Sequence, residues 1–327
     1  MVARSFGGTG LCCSFPPGQE RRRETHRMSS RAARRVRTYA LAMNVFSRSV
    51  SGRRILITGA ARGIGAALAR RLHERGARIA VVGLEPELLA QVAAACGDAP
   101  WSACDVRSRP QVDAVVEMAV DRLGGLDVVV ANAGVAAQLP LAGGDPDVFE
   151  RINAVNVLGT YYTVRAAAPH ISHPGGYAVV IASLAAAVHA PLLAAYSASK
   201  AAVEVLGNTL RVELRPSGAR CGVAYFAELD TDMTSRGFGT EAAAALLRGS
   251  GLHRVATLEA GVTALERGIA RRSRRIVAPG WVRPVLPLRM AVQPLLDRRF
   301  QRGLAEALRI ARSEHPPLTT PQPVDQP

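Results

Sequence analysis

From Arg54 to Ala278 the chain alternates short apolar runs with longer stretches of helical periodicity, and this alternation restricts the fold more than any other feature. The runs are RILIT (54–58), RIAVV (78–82), PWSAC (100–104), DVVVA (127–131), YAVVIA (177–182), RCGVAYF (220–226) and a closing RIVA (275–278). Segments 64–75, 109–123, 148–168, 196–214 and 257–271 between them are long enough for crossover helices. Strands that are apolar without interruption are covered on both faces, which indicates a parallel sheet between two layers of helices. Right-handed crossovers then give an α/β, doubly wound Rossmann-type parallel sheet, with ligands at the carboxyl ends of its strands.

The chain is 48% hydrophobic and 20% charged, enough apolar material for a large core. Its net charge of +15 is unevenly placed. Residues 1–50 carry 10 Arg against 2 Glu, and residues 271–313 carry 11 Arg against Asp297 and Glu306, while residues 51–270 hold 20 basic and 20 acidic groups. The body is neutral and its ends are basic, without a base-reading motif, so no nucleic-acid partner is expected. The expected organisation is a basic, disordered N-terminal extension (1–50), one Rossmann-fold catalytic domain (51–280), a basic amphipathic appendage (281–313) and a disordered tail (314–327). Met28 and Met43 would permit a later start. Cys12, Cys13, Cys96, Cys104 and Cys221 form neither a metal-ligand spacing nor an even disulfide framework, which fits a reducing, cytoplasmic setting. No stretch reaches the roughly 20 uninterrupted apolar residues needed to cross a bilayer.

The first strand runs into TGAARGIG (58–65) and then into a helix. Gly59 permits a tight turn and Gly63 lets backbone approach a pyrophosphate. Ile64 follows, and Gly65 allows close packing at a helix N-terminus that attracts anions. The spacing is G-x-x-x-G-x-G rather than G-x-G-x-x-G. In this the chain resembles the short-chain dehydrogenase/reductase family over approximately residues 53–270. The resemblance extends to Asp105-Val106 after the third run, similar to a pair that contacts the adenine ring. It extends also to Asn132-Ala133-Gly134 after the fourth, similar to a segment that supports the sheet beside the cofactor. In NAD-preferring relatives an Asp stands where this chain has Gly83, and Arg62 resembles the basic residue that receives a 2′-phosphate. NADP is therefore favoured, with NAD the alternative, and Glu85 two residues on moderates the preference. After the sixth run the family's Pro-Gly is replaced by Phe226-Ala227, although Thr231 still matches the threonine that contacts the carboxamide.

Lys200 is the only lysine in the chain. It stands four residues after Tyr196, so the two share a helix face. A phenol of ordinary pKa about 10 stays protonated at neutral pH and is no useful base there, and a neighbouring ammonium, helped by a cationic nicotinamide, lowers that pKa. Lysine also reaches both ribose hydroxyls with a compact charge that arginine's planar fork cannot present. The resemblance adds Ser183, thirteen residues before the tyrosine, to hold the substrate oxygen. It also adds Asn156, to position a water between Lys200 and solvent.

These residues predict hydride transfer between a nicotinamide and a carbonyl carbon, with Tyr196 as general acid/base. No metal is expected. Small and apolar residues in 184–195, including Val188, His189, Leu192 and Leu193, point to a hydrophobic alcohol or ketone of lipid, steroid or terpenoid kind. The alternative is a noncatalytic nucleotide-binding scaffold or redox sensor on the same fold. Family relatives pair through the helices corresponding to 148–168 and 196–214, which implies a homodimer or homotetramer. Segment 281–312 has two readings: a helix lying peripherally on a lipid surface, or one packed on the body or at a subunit interface.

Overall fold

The computed structural model describes residues 49–231, 233–234, 239–248, 255–314 and 318. The expectations for the N-terminal extension and the final tail fall almost wholly outside these residues. In chain order the elements are β1 (Arg54–Thr58), α1 (Gly63–Glu74), β2 (Arg78–Gly83), α2 (Pro86–Ala94), β3 (Trp101–Ala103), α3 (Arg109–Leu123) and β4 (Val128–Ala131). Then follow α4 (Pro146–Asn153), a π-helical turn (Ala154–Leu158), α5 (Gly159–Ile171), β5 (Tyr177–Ile181), α6 (Ala194–Glu213) and β6 (Arg220–Phe226). The last are α7 (Glu241–Leu247), α8 (Leu258–Arg271), β7 (Arg275–Ala278), α9 (Val282–Val285), α10 (Arg289–Phe300) and α11 (Leu304–Ala311).

All seven strands are parallel, in the order β3-β2-β1-β4-β5-β6-β7. The order reverses between β1 and β4, the switch point where a doubly wound sheet opens a crevice. Pleating sends alternate residues of one apolar strand to opposite layers. Ile55 and Ile57 meet Leu68, Leu72, Leu265 and Ile269 on one face, whereas Leu56 packs with Val112, Val115, Ile152 and Ile171 on the other. The apolar runs therefore serve two cores at once.

The predicted helix over 148–168 is one path with a fault in it. A π turn at 154–158 separates α4 from α5 and carries the fully buried Asn156. Such bulges re-aim side chains, frequently at functional sites. At Gly207, α6 lies so close to the sheet that a Cβ would stand 2.5 Å from Val180 Cγ2 and 2.8 Å from Val223 Cγ2. No helix among the described residues is long and apolar enough to cross a membrane.

Beyond β7 the chain lies against the body. Val282 and Leu286 are buried beside Val203 and Tyr225, and Phe300, Ala307 and Ile310 are buried with Leu192, Ala242 and Leu246. The expected amphipathic pattern does not describe α10. Arg289 and Gln293 bond inward to the body, while Met290 and Leu295 are 85% and 64% exposed.

Candidate active site

β1 ends at Thr58 and the chain turns at Gly59, whose φ of 63° is left-handed. A Cβ there would stand 2.6 Å from Ala133 Cα, and one on Gly65 would run into the Gly59 carbonyl, so both positions need glycine. The loop is bound to the end of β4 by side chains. Asn132 Nδ2 donates to the Thr58 and Gly59 carbonyls at 2.9 and 3.0 Å, and the Thr58 hydroxyl oxygen accepts from the Asn132 and Ala133 amides at 3.1 and 3.2 Å. α1 has no side-chain N-cap and no acidic residue in its first turn. The first amides of the helix and its dipole therefore face the cavity as an anion site.

Arg62 and Glu85 form a pair on the wall of that cavity. Arg62 Nε donates to Glu85 Oε2 at 2.8 Å and Nη2 donates to Oε1. The sequence reading assigned Arg62 to a phosphate, but the structure gives it a carboxylate partner. Thr58 and Val82 are paired across β1 and β2, which brings the α1 N-cap alongside the turn that follows β2. Asp105 takes a bidentate bond from Arg107, Nε to Oδ1 at 3.1 Å and Nη2 to Oδ2 at 2.7 Å, and Val106 is buried next to it. Both residues line the cavity, as do Gly83 and Thr231.

At the other end of the cavity stand Ser183, Tyr196 and Lys200, from the end of β5 and the first turns of α6. The Ser183 oxygen accepts from the Ala185 amide at 3.1 Å, which orients it, and its hydroxyl hydrogen-bonds the phenol of Tyr196. Lys200 Nζ lies 5.6 Å from the centre of the Tyr196 ring and donates to the Ile181 carbonyl at 2.8 Å. Burial dominates both groups. It pushes the phenol up to about 12, against the lowering bond from Ser183, and pushes the ammonium down to about 8. The expected depression of the phenol by its lysine is not expressed in the polypeptide alone.

Asn156 spans the gap between α6 and β4. Its Oδ1 accepts from the Val135 amide at 2.8 Å, and its Nδ2 donates to the Val135 carbonyl and to Ser199 Oγ, each at 2.9 Å. Gly134 lies between it and Lys200: a Cβ at 134 would stand 3.2 Å from Asn156 Oδ1 and 3.3 Å from Lys200 Nζ.

The glycine loop and the Ser183–Tyr196–Lys200 group share one cavity of about 460 Å³, within the range of small-molecule sites. Val188, His189 and Leu193 line it, as expected. Leu192 does not. Its φ is 68°, and its side chain turns into the cluster of Leu246 and Phe300. The sequence reading also missed Glu85 as a partner of Arg62, and it missed Trp281, Val292, Leu296 and Phe300, which close the cavity from the C-terminal segment. No spacing signal links those residues to the site.

A family model described as short chain dehydrogenase matches residues 53–247. A 4-formylbenzenesulfonate dehydrogenase of Comamonas testosteroni is 37% identical over 171 residues, covering 50% of this chain and 68% of that protein. An oxidoreductase of Sarocladium schorii is 32% identical over 202 residues, covering 59% and 78%. Among solved structures, a short-chain type dehydrogenase/reductase from Mycobacterium marinum aligns with a TM-score of 0.62 at 29% identity, covering 71% of this chain and 96% of that one. A short chain dehydrogenase/reductase from Burkholderia phymatum, in complex with NAD, aligns with a TM-score of 0.66 at 24% identity, covering 76% and 96%.

Proposed function

The chain belongs to the short-chain dehydrogenase/reductase family of oxidoreductases, whose general chemistry is NAD(P)-dependent hydride transfer, and from that premise we propose that it interconverts a hydrophobic alcohol and its ketone or aldehyde. The observation that carries this reading is the single cavity joining an open helix N-terminus to a hydrogen-bonded serine–tyrosine pair with a buried lysine. The glycine cradle and the α1 amides fit a dinucleotide, which would supply or accept the hydride at its nicotinamide ring.

In reduction, Ser183 and Tyr196 donate hydrogen bonds to the substrate carbonyl oxygen and draw charge toward it. The carbonyl carbon would take the hydride from a bound dinucleotide, and the Tyr196 phenol gives its proton to the oxygen. Lys200 then faces a phenolate, and its ammonium stabilises that charge. Asn156, held by Val135 and Ser199, would order a water between Lys200 and solvent for the proton that must return. Oxidation runs the same steps backwards.

The choice of dinucleotide turns on Arg62 and Glu85. Gly83 places no carboxylate at the end of β2, which leaves room for a 2′-phosphate, but Glu85 already neutralises Arg62. NADP and NAD are both proposed cofactors, with Glu85 setting their ratio.

Fluorescence titration with NADPH and NADH, followed by turnover of apolar ketones read at the nicotinamide absorbance, tests the assignment. Tyr196→Phe is expected to lower kcat by about 10²–10⁴-fold with cofactor affinity retained. Unchanged turnover in that variant would refute the role given to Tyr196. Exposed Phe149, Leu158, Tyr161, Val205 and Val212 on α4, the π turn, α5 and α6 support pairing of two copies through these helices. Exposed Leu288, Met290 and Leu295 support contact with a lipid surface.

A further inference from the structure

The family match ends at residue 247, yet the cavity does not. Its lining takes in Leu246 and Leu247 from α7, with Trp281, Val292, Leu296 and Phe300 from the C-terminal segment. These six side chains carry no charge, and they share one cavity with Ser183 and Tyr196.

The C-terminal segment is fastened at three places around the mouth. Arg289 donates to both carboxylate oxygens of Glu204, at 3.2 and 3.0 Å, and Glu204 lies one turn beyond Lys200 on α6. One turn along α10, Gln293 Oε1 accepts from the His189 amide at 2.9 Å and Nε2 donates to the His189 carbonyl at 3.1 Å. That residue belongs to the segment between Ser183 and Tyr196. Past α11, the Glu314 carboxylate accepts from the Glu241 and Ala242 amides at 2.8 and 3.1 Å, and so caps α7 from outside. The left-handed backbone at Leu192 agrees with this picture. A branched residue is costly there unless its surroundings over-determine it, and Leu192 is buried among Phe300, Ile310 and Leu246.

We propose that Trp281–Phe300 and α7 together form a subsite for the uncharged apolar tail of an elongated carbonyl or alcohol substrate, making the C-terminal segment the element that selects for tail length. The proposal rests on the oxidoreductase reading given above. Polar contacts hold α10 to the catalytic helix and to the loop before it, and this leaves Val292, Leu296 and Phe300 facing the cavity. A tail that fills this space leaves water with each added methylene, so kcat/KM rises about fourfold per methylene until the subsite is full.

The test uses the full chain and a series of straight-chain aldehydes of increasing length, with the preferred dinucleotide. The wild-type protein is expected to show the rise in kcat/KM and then a plateau. Leu296→Glu is expected to reduce the ratio of long-chain to short-chain kcat/KM at least tenfold. Leu296→Trp keeps the wall apolar and fills it, and is expected to move the plateau to shorter chains, which keeps the test decisive if the glutamate variant does not fold. Turnover that does not vary with length in the wild-type protein, or a length profile that neither variant alters, would overturn the subsite while leaving the oxidoreductase reading in place. Dinucleotide binding with no turnover of any aldehyde or alcohol would instead overturn the oxidoreductase reading, and the subsite with it.

Discussion

Tyr196 and Lys200 share a helix face, and both are largely buried at the wall of the cavity. Burial lowers the Lys200 pKa from 10.5 to about 8. The folded protein thus bears the cost of a buried ammonium throughout the range below pH 8. Between pH 8 and 10.5 the unfolded chain binds more protons than the folded one, so stability contributed by this group rises with pH across that window. Lys200→Met removes the ammonium at the expense of the bond to the Ile181 carbonyl. It is expected to stabilise the fold by about 1–2 kcal/mol at pH 7 while abolishing turnover, with the gain fading toward pH 10.5. Denaturant unfolding at pH 7 and at pH 10 measures both parts. Glu85 gives a second residue-scale prediction. Glu85→Gln removes the carboxylate that pairs with Arg62 and a negative charge from the cavity wall, so the affinity ratio should shift toward NADPH by about tenfold, some 1.4 kcal/mol. Paired NADPH and NADH titrations read it directly, and an unchanged ratio would remove Arg62 from cofactor choice.

α6 carries Tyr196 and Lys200, and its position depends on how closely it approaches the sheet. At Gly207 the nearest atoms belong to Val180 and Val223, whose β-branched side chains have little rotamer freedom. Gly207→Ala improves helix propensity by up to about 1 kcal/mol, but it must push the helix outward at a cost of about 1–3 kcal/mol. A net loss of stability and a fall in kcat are expected, and both should be partly restored by adding Val180→Ala with Val223→Ala, which removes both close contacts. Restoration of stability without kcat would mean that the displacement does not reach Tyr196. The strands, α1, α3 and α6 were legible in the sequence because period and turn residues are local signals. The fault between α4 and α5 was not, because Asn156 is placed there by bonds to Val135 and Ser199 from other parts of the fold.

For the molecule as a whole, assembly follows from which apolar residues remain exposed. Leu158, Tyr161, Val205 and Val212 stand 46%, 44%, 63% and 52% exposed on neighbouring helices. Light scattering on the purified chain should give at least a dimer, and Val205→Glu with Leu158→Glu should lower the mass; an unaltered mass would place the interface elsewhere.

The sequence by itself determined the strand order's raw material, the glycine turn, and the shared helix face of Tyr196 and Lys200, since each rests on spacings of a few residues that backbone geometry converts directly into proximity. Only the tertiary structure decided that Arg62 meets Glu85, that Leu192 turns away from the cavity, and that α10 binds the body through Arg289 and Gln293. Those outcomes join residues far apart in the chain or depend on which side of a helix finds a partner. Hydrophobic periodicity records how apolar a face is, whereas long-range polar pairing decides which face turns inward.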